Sequence, residues 1–293
     1  MVQSELSFTN KQIRCGDHEI HYFDEGSGTP ILLLHGAPTT ALGFARVIQE
    51  LRKNFRVIAP DLPGFGRSLP AKEFSGGLRE YSIFVKQFCE ILNLQGVYLY
   101  VNDSSGVIGL HAAAQMHERV TGVIIADTVS LPIPGLVRFV LKYIVNSTFV
   151  RYLNRRYNIL SWMVANLAPL RLPFTSEDRR ILTSQFDTAS KRDRILDLFL
   201  AMAVESDFVD ETITEARQHI SKMPTLLLFG QFDPMRFIGS IQKFKKMFGN
   251  HSVAIIPLEE HFPILASGKQ VAQEVSKWIQ HCQNETKMTI QSQ

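Results

Sequence analysis

Val97-Tyr98-Leu99-Tyr100-Val101-Asn102 runs directly into Asp103-Ser104-Ser105-Gly106 and then into VIGLHAAAQMHERV, residues 107–120. The first stretch is apolar up to Asn102, the pattern of a strand covered on both faces in a parallel sheet. The last stretch is rich in small, helix-forming residues. Between them stand one acid and two hydroxyls, closed by a glycine. A polar side chain at such a strand-to-helix elbow sits beyond the strand's carboxyl end and near the positive end of the helix. Asn, Asp and Ser are also favoured helix caps, so this stretch alone leaves capping open.

Working outward, strands are expected at residues 18–23, 31–35, 55–60, 123–126, 225–229 and 253–257. Most of the later ones are nearly continuous apolar runs (VIIA, LLLF). Helical spacing is expected at residues 42–53, 78–94, 104–117, 238–248 and 269–280, the last carrying Val271, Val275, Trp278 and Ile279 on one face. Strand and helix in alternation predict an α/β fold with a doubly wound, mostly parallel sheet. Residues 131–223 break the rhythm with helical stretches and no convincing strand. They read as an inserted helical cap on a core of residues 1–130 and 224–283, and the polar residues 284–293 read as a frayed, flexible tail.

Composition narrows the class. The 293 residues are 45% hydrophobic and 20% charged, which is ordinary for a globular protein, and 31 basic against 28 acidic residues leave a net charge of +3. That is too little to argue for a nucleic-acid partner. Cys15, Cys89 and Cys282 are far apart and odd in number, so neither a disulfide framework nor a zinc site is expected. The start carries no basic-then-apolar signal, and no apolar run is long enough to span a membrane. The expectation is a soluble, cytoplasmic protein in a reducing compartment.

In open parallel sheets ligands bind beyond the carboxyl ends of the strands. After residues 31–34 come His35-Gly36-Ala37-Pro38-Thr39-Thr40, where backbone N–H groups past the glycine can face the cleft. After 56–60 comes Asp61-Leu62-Pro63-Gly64-Phe65-Gly66-Arg67-Ser68, in which Asp61 is expected to brace the loop. Asp127 ends the VIIA strand. Asp233 precedes Pro234 after LLLFGQF, and His261 precedes Phe262-Pro263 in the last such loop. Nucleophile, acid, histidine is the chain order of the α/β-hydrolase triad.

HGAPTT, DLPGFGRS, NDSSG, GQFDP and EEHFP together resemble the α/β-hydrolase superfamily over nearly the whole chain. The sequence is most similar to the haloalkane dehalogenase and epoxide hydrolase branch, in which an aspartate is the nucleophile. HGAP fits an HGxP pattern, Pro-Thr-Thr is similar to the dehalogenase Pro-Thr-Ser, and QMHERV resembles RHPERV, which sets Asp103 at the nucleophile position without a gap. The resemblance implies Asp103, Asp233 and His261 as the catalytic set, with Asp127 an alternative acid. It implies backbone N–H groups of Ala37 and Ser104 as the oxyanion hole, and no metal or organic cofactor. A shifted register makes Ser104 the nucleophile of an esterase or lipase-like enzyme, and a non-catalytic ligand-binding member is a third alternative.

Departures from the pattern bear on substrate. Dehalogenases usually carry Trp after the nucleophile and often Asn after HG, and both hold the halide; here those positions are Ser104 and Ala37. Epoxide hydrolases typically use two cap tyrosines. This cap offers Tyr143, Tyr152 and Tyr157, none late in the insertion, with Trp162 a substitute donor or a core residue. Ser105 replaces a usual glycine. The expected substrate is a small lipophilic electrophile of epoxide or haloalkane type. The apolar run 133–150, with Arg138 and Lys142 interspersed, reads either as cap core or as a weak membrane-surface contact.

Overall fold

The structure, a computed structural model, describes residues 8–167, 171 and 173–291. Eight strands form one sheet in the order β1-β2-β4-β3-β5-β6-β7-β8: β1 (Asn10–Cys15), β2 (His18–Glu25), β3 (Pro30–Leu34), β4 (Arg56–Pro60), β5 (Val97–Asn102), β6 (Val120–Ala126), β7 (Thr225–Gly230) and β8 (His251–Ile256). β1 and β2 run antiparallel to their neighbours, and the rest is parallel. β5 and β7 are buried at every position, as continuous apolar runs require.

Two strands depart from the sequence reading. β1 was not foreseen, because NKQIRC is polar; it pairs with β2 through a tight turn at Gly16-Asp17 and buries fully only Cys15. β8 is an edge strand, and Ser252 and Val253 are exposed.

Helices cover both faces. α1 (Ala45–Leu51), entered through a 3₁₀ turn at Ala41–Phe44, packs with α13 (Gly268–Gln291) on one side. α2 (Leu78–Ile91) and α3 (Ser105–Gln115) line the other. α10 (Pro234–Phe237), α11 (Ser240–Met247) and α12 (Pro263–Ala266) are short connectors. Where a frayed tail was expected from Asn284, α13 continues to Gln291. Val271, Val275 and Ile279 anchor its first half in the core, and extending an anchored helix through polar residues needs no new nucleus.

Between β6 and β7 lie α4 (Gly135–Phe139), a π-helical turn (Val140–Val145), α5 (Thr148–Tyr157), α6 (Ile159–Leu167), α7 (Ser176–Ser184), α8 (Ala189–Val204) and α9 (Ser206–His219). α9 packs on α3 and joins the layer over the sheet, so the last stretch of residues 131–223 is continuous with the core. The others pack on one another. Buried Asn154 ties them: its Nδ2 donates to the Arg192 carbonyl at 2.9 Å, and its Oδ1 accepts from the Leu160 N–H at 3.1 Å. Arg46 of α1 clasps them to the core, bonding both Asp178 of α7 and the Leu265 carbonyl of α12. Arg194 of α8 donates to the Ser75 carbonyl at 2.9 Å. Among the described residues no helix is long and apolar enough to cross a membrane.

Candidate active site

Asp103, the first residue past β5, has a φ of 50°. That left-handed conformation is uncommon outside glycine but tolerated by aspartate, and it turns the chain sharply into α3. The elbow is held from both sides. The Asp103 N–H donates to the Ala126 carbonyl at 3.2 Å, and the Asp103 carbonyl accepts from Gly106 N–H at 3.0 Å and from the Thr128 hydroxyl at 2.5 Å. Ser105 is locked by its Oγ, which accepts from Asn102 N–H at 2.8 Å and lies 2.9 Å from the Leu34 carbonyl.

The loop after β3 comes very close. A Cβ on Gly36 would lie 2.5 Å from Asp103 Oδ2 and 2.6 Å from its Cβ, so only glycine permits this approach. The neighbouring Ala37 N–H is thereby aimed at the elbow, 3.1 Å from Asp103 Oδ2 and 2.9 Å from Ser104 Oγ. His35 backs the loop as a neutral imidazole: its Nε2 accepts from Leu62 N–H at 3.0 Å and its Nδ1 donates to the Gly36 carbonyl at 2.9 Å. Burial holds its pKa below the ordinary value, against Asp61.

Two later loops supply the partners. His261 Nε2 lies 3.2 Å from Asp103 Oδ1, and His261 Nδ1 lies 2.9 Å from Asp233 Oδ1. Asp233 caps α10, and the same Oδ1 accepts from Met235 N–H at 2.9 Å. The carboxylate acceptor at Nδ1 fixes the proton there in the neutral ring. Burial disfavours the imidazolium, but Asp233 and Asp103 on either side outweigh it and raise the His261 pKa well above its ordinary value. The histidine loop reaches the site because Gly230 is bare; a Cβ there would meet the Glu260 carbonyl at 2.0 Å.

Asp127 lies one step behind. It is fully buried, with a φ of 46°, and its Oδ1 accepts from Gly230 N–H at 2.8 Å. Asp127 Oδ2 and Asp233 Oδ2 are both buried without a donor among the described residues. Burial, and then the Asp233 charge, raise the Asp127 pKa well above the carboxylate range. Burial and the neighbouring carboxylate both favour the protonated form of Asp127. Of the two candidate acids, Asp233 is the one that touches the histidine.

Other candidates lie elsewhere. Ser104 is buried, and its hydroxyl oxygen accepts from the Ala37 N–H. Tyr143, Tyr152, Tyr157 and Trp162 are 53–62% exposed, so none is sealed over Asp103 as a substrate clamp, and Trp162 is not a core residue. Tyr152 and Tyr157 stand on the outer side of the amphipathic α5, which packs on α8. The sequence reading missed the Asp127–Asp233 contact, which depends on β6 and β7 being neighbours. Among the described residues no group of three or more His, Cys, Asp or Glu could hold a metal ion.

An acid elbow, a facing backbone donor and a histidine–acid pair at the ends of β3, β5, β7 and β8 define a class. A model of the α/β hydrolase fold matches residues 29–266, and the chain belongs to that family. Over 244 residues it is 27% identical to haloalkane dehalogenase 2 of Mycobacterium tuberculosis, covering 83% of this chain and 85% of that one. Haloalkane dehalogenase DbeA of Bradyrhizobium elkani superposes with a TM-score of 0.82 at 18% identity, over 95% of this chain and 100% of that one. Epoxide hydrolase CorEH gives 0.77 at 19% identity, over 93% and 98%. The chain is thus similar in sequence to a haloalkane dehalogenase, and in fold to both a haloalkane dehalogenase and an epoxide hydrolase.

Proposed function

We propose that this hydrolase opens a small lipophilic electrophile of epoxide or haloalkane type, with Asp103 as nucleophile. One observation carries the assignment: His261 Nε2 bonds Asp103 Oδ1, while among the described residues no basic side chain bonds the neighbouring Ser104 hydroxyl. The two oxygens of Asp103 then divide the labour. Oδ1 attacks the electrophilic carbon; a carbon–oxygen bond forms and the bond to the leaving group breaks. Oδ2 becomes the ester carbonyl, already facing the Ala37 N–H.

In the second half, His261 Nε2 takes a proton from water, and the hydroxide adds to the ester carbonyl carbon. Negative charge gathers on Oδ2, where the Ala37 N–H and the Ser104 N–H receive it; one such donor is worth about 3–4 kcal/mol. The ester then splits: His261 passes its proton to the departing oxygen, an alcohol leaves, and the returned carboxylate holds one oxygen from water. Asp233 keeps the ring oriented and stabilises the imidazolium. Asp127, whose protonated form is favoured by burial and then by the Asp233 charge, keeps a second charge out of the pocket.

Ser104 and Ala37 offer no halide-binding side-chain N–H, which favours substrates whose leaving atom needs no such clamp. Helices α4 to α8 act as the cap over the cleft. Three buried, unpaired cysteines fit a reducing compartment such as the cytoplasm.

Single turnover in heavy-oxygen water, followed by peptide mass analysis, tests the reading on a panel of epoxides, haloalkanes and p-nitrophenyl esters. Label is expected on Asp103, and Ser104→Ala should keep turnover. An unlabelled Asp103 with an acylated Ser104 would make the protein a serine esterase instead.

A further inference from the structure

From Thr128 through Ser176 the chain contains no aspartate or glutamate, yet it carries six arginine and lysine residues. Two of the six are spoken for: Arg151 pairs with Asp197 and Arg155 with Asp193, both on α8. Arg138 and Lys142 form no salt bridge among the described residues. Arg138 uses Nε to hold the Ala203 carbonyl at 3.0 Å, and Lys142 Nζ stands 5.1 Å from the centre of the Tyr143 ring.

The same short segment turns apolar side chains outward. Leu136, Phe139 and Tyr143 are 76%, 53% and 58% exposed. Their spacing of three and four residues sets them in one stripe, and the Phe139 and Tyr143 rings lie 5.2 Å apart. Arg138 and Lys142 flank that stripe. With Phe139, Tyr143, Ala203 and Val204 they line an open cleft of about 310 Å³. A smaller cleft on the other side of Arg138 contains Asp210.

We propose that this face, residues 135–145, docks the protein on an anionic lipid surface, with a lipid headgroup phosphate in the cleft between Arg138 and Lys142. Aromatic and aliphatic tips bordered by basic residues, on a segment free of acids, are the composition of an interfacial helix. Apolar tips enter the acyl boundary while the cationic ends stay with the headgroups. A second copy of the chain fits less well: a two-fold contact sets a patch against itself, bringing Arg138 and Lys142 onto their own counterparts. So short a stripe gives reversible binding, since one shallow apolar anchor holds weakly unless charge assists it.

The test is co-sedimentation of the full chain with vesicles, either phosphatidylcholine alone or equal parts phosphatidylcholine and phosphatidylglycerol. Binding is expected to the mixed vesicles, weakening as salt is raised. Lys142→Glu should lower the partition about five-fold or more, and Leu136→Ser with Phe139→Ser about ten-fold or more. None of these residues belongs to the proposed catalytic machinery. Unchanged thermal midpoints and unchanged turnover of a soluble substrate therefore show that the variants fold. Equal binding to both vesicle types, or none to either, overturns the proposal. So does a self-association, seen by sedimentation without lipid, that Leu136→Ser abolishes.

Discussion

Two aspartate–histidine pairs lie in this molecule at nearly the same spacing. His21 Nδ1 is 3.0 Å from Asp61 Oδ2, and His261 Nδ1 is 2.9 Å from Asp233 Oδ1. Chemically they are alike; their surroundings differ. Asp61 also accepts from Ala41 N–H at 2.9 Å and Arg67 N–H at 3.0 Å, and His21 Nε2 is taken by Asn10 Oδ1 at 2.9 Å. Both are sealed. Three donors hold the Asp61 carboxylate and both ring nitrogens of His21 are engaged, so neither is open to a substrate. His261, by contrast, is only half-buried, and its free nitrogen faces a second carboxylate on a left-handed elbow. An acid–histidine pair becomes chemical machinery when one end is left open and aimed, and becomes bracing when both ends are closed.

The largest effect that would break this contrast is at the open pair. Asp103→Ala should lower turnover at least about 10⁴-fold. His261→Ala should stall the reaction at the ester, because the first step needs no base and the second does; the intact-mass increment of the substrate fragment is the readout. If Asp61→Asn in a folded protein lost activity as Asp103→Ala does, the two pairs would not differ as described.

Next come the two acids behind the histidine. Asp233→Asn should cost about 10³- to 10⁴-fold, since an amide favours the wrong tautomer of His261. Asp127→Asn should cost about ten-fold or less, because an amide N–H replaces the acid proton toward Asp233. Equal losses in steady-state kinetics would mean that Asp127 is ionised and that the ordering of the two acids is wrong.

At the closed pair the loss is of stability. Asp61→Asn should lower the unfolding free energy by about 3 kcal/mol in denaturant titration, the scale for breaking a buried, hydrogen-bonded charge pair. Activity per folded molecule should stay near that of the parent.

The smallest effect is in pH. Burial disfavours the Asp61 charge, but the bond from His21 and its other donors outweigh this, and the pKa falls below its ordinary value. The unfolded chain then binds more protons near and below about pH 4, so stability falls on acidification. Asp127 and His261 are shifted upward, Asp127 by burial first and His261 by its two acids against burial. There the folded state holds the extra protons. Stability is full below the unfolded values and declines as pH rises toward the folded ones. Asp127→Asn should flatten the alkaline side of the stability profile and Asp61→Asn the acid side, as melts across a pH series would show.

Much of this contrast was legible in the chain. Apolar runs such as VYLYV and LLLF, short and rich in β-formers, read as buried strands, and the loops that follow such runs hold Asp61, Asp103, Asp233 and His261. The bracing role of Asp61 followed from its setting among Gly64, Gly66 and Ser68. Hidden features needed partners distant in sequence. β1 exists because β2 offers an edge, while its own residues are polar. The upward shift of the Asp127 pKa comes from burial and from a neighbour 106 residues away, whose position depends on strand order. The outward direction of Tyr143, Tyr152, Tyr157 and Trp162 depends on how the insertion packs against itself, and a list of aromatic residues carries no such direction.

Arg46 holds two objects at once, the Asp178 carboxylate of the insertion and the Leu265 carbonyl just past the histidine loop. One side chain thus ties the inserted helices and the stretch just past the histidine loop to a common post, so opening of the one and hydrolysis at the other are expected to be coupled. Arg46→Ala should separate the two, changing the rate of product escape and the rate of ester breakdown in opposite directions in pre-steady-state traces.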